Sequence, residues 1–289
     1  MDYFVSGDRA RLDRIRDAQP ELAHPDERFM LDARTPDYKP HLSTTAGPNL
    51  NSVYVGIAEL NGRRWPLFFK PLGGIKPTAA HDYQQDSLVD IGIHEVAAWW
   101  LARELGPPWS EIVAPAVWRD PPKASTIGES GPVVLGMGGS AHLPEPGADF
   151  DQLISDAAFF DALIGSQDRH DENLRAALPA SLGLIDHGYS FARPRDYHNR
   201  YPTAGFFQRL RYGQRSFSPP GSPILNYTGV GPLSPALAPH EQAALARLKT
   251  DPTGLLGIAD LLPQDRADAL RDRVQRMDQA QEILRHSDF

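Results

Sequence analysis

Apolar positions keep a strand rhythm in parts of the first half of this chain and a helical rhythm through much of the second. Val53 to Leu60 and Trp65 to Lys70 read as two strands. Asn61-Gly62 between them is the strongest short-range hairpin signal, because both residues tolerate the positive φ of a type I′ turn. Lys70 then falls at the end of the second strand, where Pro71 breaks it. Val133 to Met137 is a further short strand. Helical spacing runs through Leu88, Ile91, Glu95, Ala98, Ala102 and Leu105, with Gly106 as the stop. Residues 151–164 place Leu153, Ala157, Phe160 and Ile164 on one face of a buried helix. A helix from about Pro239 turns Leu245 and Leu248 inward, and one over residues 264–285 carries Ala267, Leu270, Val274, Met277 and Leu284 on its stripe.

Three stretches lack either rhythm. Residues 1–45 are polar and punctuated by proline, with one short helix around Arg9 to Asp17, and read as an N-terminal extension. Gly138-Gly139-Ser140 reads as a hinge followed by a linker from Pro144 to Asp149, dividing a first part, residues 46–140, from a second, residues 141–289. Within the second part, residues 194–232 are rich in Pro, Gly, Tyr and Arg and read as a long irregular insert. No internal repeat or low-complexity tract is present.

Composition narrows the functional classes. At 289 residues the chain is long for one compact core, so one large or two smaller lobes are expected. No stretch approaches the roughly 20 apolar residues needed to span a bilayer. The start, Met1-Asp2-Tyr3-Phe4, does not have a basic region leading into an apolar one, and the chain has no cysteine, which leaves neither disulfides nor thiolate metal sites. The expected location is cytoplasmic. A net charge of -8 argues against general nucleic-acid binding, which needs a basic field over much of the surface. Oligomeric state is not legible at this level.

The candidate chemistry is concentrated in two motifs, Asp168-Arg169-His170-Asp171-Glu172-Asn173 and Leu184-Ile185-Asp186-His187-Gly188. Asn173 follows Asp168 by five residues, the spacing of the kinase catalytic loop, in which an Asp orients the accepting hydroxyl and an Asn holds magnesium. Asp186 follows Asp168 by eighteen, inside a short apolar run closed by Gly188, where a metal-binding Asp of the Asp-Phe-Gly type belongs. Two carboxylates and an amide oxygen suit magnesium, a hard ion that completes its octahedron with substrate phosphates. Taken alone, residues 168–173 also fit a polar turn capping a helix. The matching distance of Asp186 favours the metal site. Glu95 sits on an apolar stripe, and a buried carboxylate needs a partner. Lys70 is the candidate. His94-Glu95 begins a zinc-protease signature, but the position of its second histidine is Ala98, so that reading fails. A di-metal phosphatase using His170, Asp171, Asp186 and His187 is the other metal alternative, and its imidazoles would favour zinc or manganese.

A hairpin lysine, a helix glutamate, an Asp-Arg-His-x-x-Asn loop and an Ile-Asp-x-Gly motif, in that order, resemble the atypical kinases that group lipid kinases of the phosphoinositide type with bacterial HipA-like kinases. The Asp-Arg-His order separates them from ordinary protein kinases, whose loop reads His-Arg-Asp. The resemblance covers roughly residues 50–195. It implies an α+β, two-lobed protein-kinase-like fold, with a small lobe built on an antiparallel sheet and a mainly helical large lobe. It also implies ATP and Mg2+ as cofactors, Asn173 and Asp186 as metal ligands, and a Lys70–Glu95 pair at the nucleotide phosphates. Asp168 and His170 are the implied catalytic residues, with Asp168 at the acceptor hydroxyl and His170 in an acid/base role or hydrogen-bonding backbone near the metal motif. His187 replaces the usual aromatic of the metal motif, and no Gly-x-Gly-x-x-Gly precedes the first strand. Ser43, Thr44 and Thr45 are therefore assigned to the phosphate-covering loop, through their hydroxyls and backbone N–H groups.

The acceptor is a protein, lipid headgroup or small-molecule hydroxyl, since selectivity resides outside the shared core. A nucleotide-binding pseudokinase that acts as an interaction module is the non-catalytic alternative. Arg193, Arg195, Arg200, Arg209, Arg211 and Arg215 face one acidic neighbour, Asp196, in a chain that is acidic overall. That reversal of sign suggests an anionic acceptor. The competing account is that these arginines pair with acidic residues elsewhere in the fold.

Overall fold

A computed structural model describes residues 7–34, 37–41, 52–75, 87–120, 129–139, 148–169, 173–177, 181–194, 206–213, 233–250 and 257–285. The chain divides into two compact units, Met1–Trp99 with Ala114–Gly136, and Trp100–Val113 with Met137–Phe289. The architecture is mixed helix and sheet, with a small antiparallel sheet and many helices.

The first unit contains helices α1 (Asp8–Ala18) and α2 (Pro25–Asp32), strands β1 (Lys39–Pro40), β2 (Tyr54–Leu60) and β3 (Arg63–Phe69), most of helix α3 (Leu88–Leu105), and strands β4 (Ala116–Arg119) and β5 (Gly131–Leu135). The five strands pair antiparallel in the order β1-β2-β3-β5-β4. Asn61 and Gly62 hold φ of 52° and 79°, the double positive φ of a type I′ turn, so the hairpin is closed as its sequence requires. Its register pairs Ala58 with Trp65 and Gly56 with Leu67, and the period-2 alternation buries Ala58, Leu67 and Phe69 on one face.

Helix α3 differs from its expected amphipathic form. Every residue from Leu88 to Trp99 is buried, so the helix is enclosed on all sides rather than along one stripe. Gly92 permits the closest approach, since a Cβ there would lie 2.9 Å from the ring of Trp118. The polar residues of α3 are matched by partners. Arg11 donates to Asp90 at 2.7 Å, and Trp99 donates its indole N–H to Glu27 at 2.7 Å. Residues 8–32, read from the sequence as polar and extension-like, thus carry two helices, with Leu12, Ile15, Phe29 and Met30 buried in this unit's core.

The second unit contains α4 (Trp109–Ile112), α5 (Ala148–Ile164), a two-stranded antiparallel hairpin of β6 (Leu174–Ala177) and β7 (Ser181–Leu184), α6 (Phe206–Arg211), α7 (Pro239–Thr250) and α8 (Gln264–Ala280). Trp109 packs on Phe159 with ring centroids 4.9 Å apart and donates its indole N–H to the Asp156 carbonyl at 3.1 Å. Phe159, Phe160 and Leu163 of α5, Leu245 of α7, and Leu270 and Met277 of α8 are fully buried. A short helix, α6, stands inside the segment expected to be irregular. Among the described residues, no helix is long and apolar enough to cross a membrane.

Candidate active site

The first unit brings Lys70 and Glu95 together. Lys70 follows β3 directly, and its backbone N–H donates to the Pro132 carbonyl at 3.0 Å, continuing the β3–β5 ladder by one bond. Gly131 makes the approach feasible, because a Cβ there would stand 2.3 Å from the Lys70 carbonyl oxygen. The Lys70 ammonium then forms an ion pair with the Glu95 carboxylate of α3. The Lys70 side chain is 15 % exposed and that of Glu95 2 %, so the pair combines a buried anion with a cation that reaches the surface of its unit. The lysine supplies the countercharge without which Glu95 would be a costly buried carboxylate.

The second unit builds its constellation around Arg169. Helix α5 supplies Asp161, which is fully buried and takes two hydrogen bonds from the Arg169 guanidinium at 2.9 and 3.0 Å. Burial pushes the Asp161 carboxyl above the usual carboxylate range, and the charge and hydrogen bonds of Arg169 pull it back. Arg169 also donates through Nη1 to the carbonyls of Asn173 at 2.6 Å and Ile185 at 2.9 Å. Five guanidinium donors in one plane can serve several acceptors at once, which an ammonium cannot match in geometry.

The hairpin explains why those two carbonyls are neighbours. Leu174 pairs with Leu184 in the β6–β7 register, and the Ile185 N–H donates to the Asn173 carbonyl at 3.1 Å. Asn173 enters the hairpin beside the point where Asp186 leaves it. The Asn173 side chain donates through Nδ2 to the Asp168 carbonyl at 2.6 Å, leaving Oδ1 as its acceptor atom. Asp186 holds a φ of 60°, a left-handed conformation uncommon for residues other than glycine. Such backbone is held only where its surroundings enforce it, and it concentrates at functional sites. Asp168 and Asp186 are both partly exposed, whereas Asn173 is buried. The arrangement offers oxygen atoms from adjoining loops, the donor chemistry that magnesium takes.

His187 is buried and engaged at both ring nitrogens. Nε2 lies 3.2 Å from the Leu184 carbonyl and Nδ1 lies 3.3 Å from Arg169 Nη2. A carbonyl only accepts and a guanidinium only donates, so the ring carries its proton on Nε2 and accepts at Nδ1. The edge of Phe160 completes its pocket, with centroids 5.8 Å apart. With neither nitrogen available to a metal, the phosphatase alternative loses one of its ligands.

Ser43, Thr44, Thr45, His170 and Asp171 lie outside the described residues, as do Arg195, Arg200 and Arg215. Two of the arginines expected to form an anion-binding surface are committed elsewhere. Arg193 donates to Asp265 at 2.9 Å, and Arg211 is fully buried in a two-point ion pair with Glu241 at 2.6 and 3.2 Å. Burial raises the Glu241 carboxyl, opposed by Arg211. The charge-reversal argument for an anionic acceptor therefore no longer has Arg193 and Arg211.

A second carboxylate and imidazole cluster was not legible in the sequence. Asp156, His240 and Glu241 place ligand atoms within 4.8 Å of one another. His240 Nε2 is 2.7 Å from Asp156, and the Glu241 oxygens take Arg211 and the Ala238 N–H, at 2.7 Å for the latter. A cation at this point would stand against the Arg211 guanidinium, so the cluster is a hydrogen-bonded joint rather than a metal centre. Sequence reading also passed over Asp161, whose acidic side chain on an otherwise apolar helix face, eight residues before Arg169, was the available signal. No model of a known protein family and no curated protein matches this chain.

Proposed function

We propose that this chain is a phosphotransferase that uses ATP and magnesium to phosphorylate a hydroxyl group, within an α+β, two-lobed, kinase-like architecture. The observation that carries the reading is the β6–β7 hairpin with its Arg169 tie, which sets Asn173 and Asp186 on adjoining strand ends. Asn173 and Asp186 would hold magnesium, which would supply charge neutralisation at the nucleotide phosphates. Asn173 offers Oδ1 to that ion, and Asp186 offers a carboxylate from a backbone conformation held at positive φ. Lys70 holds the phosphates in register, and Glu95 fixes the Lys70 ammonium. Asp168 orients the acceptor hydroxyl and takes up its proton as the oxygen–phosphorus bond forms and the bond to the leaving ADP breaks. Most of the rate enhancement in such a reaction comes from positioning and charge neutralisation.

The test is to incubate purified protein with γ-labelled ATP and magnesium chloride, alone and with protein, phosphoinositide and small polyol acceptors, and to follow the label by mass analysis. Magnesium-dependent transfer to one acceptor class or to the protein itself is expected. Absence of label transfer in every mixture would overturn the assignment and leave nucleotide binding without turnover as the alternative.

A further inference from the structure

Helix α8 carries two arginines seven residues apart, Arg266 and Arg273, which are 0 % and 2 % exposed. Their spacing places them on one face, two turns apart, beside the apolar stripe of Ala267, Leu270, Val274 and Met277. Burying two guanidinium groups is costly unless their donors are used. Arg266 Nη1 donates to the Phe191 carbonyl at 3.0 Å. Arg273 Nη1 donates to the Ala192 carbonyl at 2.6 Å, and its Nε donates to the Leu163 carbonyl at 2.8 Å. Immediately before Arg266 in the helix, Asp265 accepts from Arg193 at 2.9 Å. Three consecutive residues, Phe191 to Arg193, are thus held by α8.

Those residues end the loop that starts at Asp186. Phe191 is fully buried with a φ of 58°, an unfavourable value for an aromatic residue that persists only where the surroundings enforce it. Its N–H donates to the Ile164 carbonyl at 2.5 Å, at the end of α5. Between the two left-handed residues, the Ser190 N–H closes a turn onto the His187 carbonyl at 3.1 Å. The Tyr189 carbonyl accepts from the Gln167 N–H at 3.0 Å, and Gln167 is the residue before Asp168. Displacement of Phe191 would therefore be transmitted through a short, hydrogen-bonded loop to both Asp168 and Asp186.

We propose that α8 is a latch in which Arg266 and Arg273 act as positioning residues, fixing the Asp186 loop in the conformation that binds magnesium. The proposal rests on the phosphotransferase reading for what the loop binds, and on the hydrogen bonds alone for how the loop is held.

Two variants test it, Arg273→Lys, which keeps the charge but cannot serve two carbonyls in one plane, and Asp265→Asn at a 48 % exposed side chain, which poses little folding risk. Hydrogen exchange of residues 186–193, where the Phe191 and Ala192 amides are bonded in the parent, is measured beside the magnesium dependence of transfer from labelled ATP. The latch predicts faster exchange confined to this segment and its partners. It also predicts a magnesium half-saturation raised about tenfold in Arg273→Lys, with the same direction and a smaller size in Asp265→Asn. Unchanged exchange over 186–193 in both variants would overturn the latch. Faster exchange with unaltered magnesium dependence and turnover would reduce the arginines to a structural role and overturn the positioning claim. A parent protein without transfer would instead sink the phosphotransferase reading, which the exchange data do not depend on.

Discussion

Two buried ion pairs, one in each unit, differ in what their cations can still do. Lys70 pairs with the Glu95 carboxylate and keeps part of its side chain exposed, whereas Arg169 is 1 % exposed and spends donors on Asp161, on two backbone carbonyls and on His187. The first pair keeps its cation partly open to solvent. The second is enclosed and works as a frame, tying loops together. Exposure of the cation and its commitment to backbone carbonyls distinguish the two pairs.

Breaking the frame pair should give the largest effect. Asp161→Ala leaves the Arg169 guanidinium buried without its carboxylate, and an unfolding cost of about 3–5 kcal/mol is expected from urea denaturation. Lys70→Met should cost less stability, about 1–3 kcal/mol, because the Lys70 side chain is less deeply buried than that of Arg169, while turnover collapses. Adding Glu95→Gln to Lys70→Met should cost little further activity, since residues serving one function are non-additive. Independent, multiplying losses would show that the pair does not act as a unit. A reversed order of the two stability losses would erase the distinction between frame and chemistry.

Alkaline titration probes the first unit. The phenol of Tyr38, in the first unit, is pushed up to about 12 by burial, against the smaller opposing influence of Arg119. A raised folded-state value means that stability is fully present below pH 10.0 and is lost as pH rises from there toward 12. Tyr38→Phe should remove that alkaline loss and change nothing at neutral pH, as read from melting curves across the range. The smallest effect on folding belongs to Asp186→Asn, within about 0.5 kcal/mol of the parent, because Asn accepts a left-handed backbone as readily as Asp and nearly matches its shape.

What the sequence made legible follows from how local its signals are. Asn61-Gly62 specified the hairpin because turn chemistry is a two-residue property, and Gly106, with a φ of 72°, stopped α3 at its predicted end. The Lys70–Glu95 contact was readable because a carboxylate on the apolar stripe of a helix demands a partner. Strands β4, β6 and β7 were missed because four residues carry too little periodicity to identify themselves. The roles of Arg169, Arg211, Arg266 and Arg273 were missed for a different reason. Their carbonyl and carboxylate partners lie up to 110 residues away, and an arginine in a sequence reads first as surface charge. Six arginines around the insert looked like one basic patch, yet Arg193 and Arg211 face inward to Asp265 and Glu241.

The proposed function requires that Asn173 and Asp186, set side by side by the β6–β7 hairpin, hold the metal for transfer from ATP. The most direct measurement compares label transfer from γ-labelled ATP across a magnesium titration in the parent and in Asp186→Asn, with melting curves recorded on the same samples. The account predicts saturable, magnesium-dependent transfer in the parent, and transfer at background in the variant with an unchanged melting temperature. Transfer in Asp186→Asn within a few-fold of the parent, or transfer in the parent that does not respond to magnesium, would contradict it.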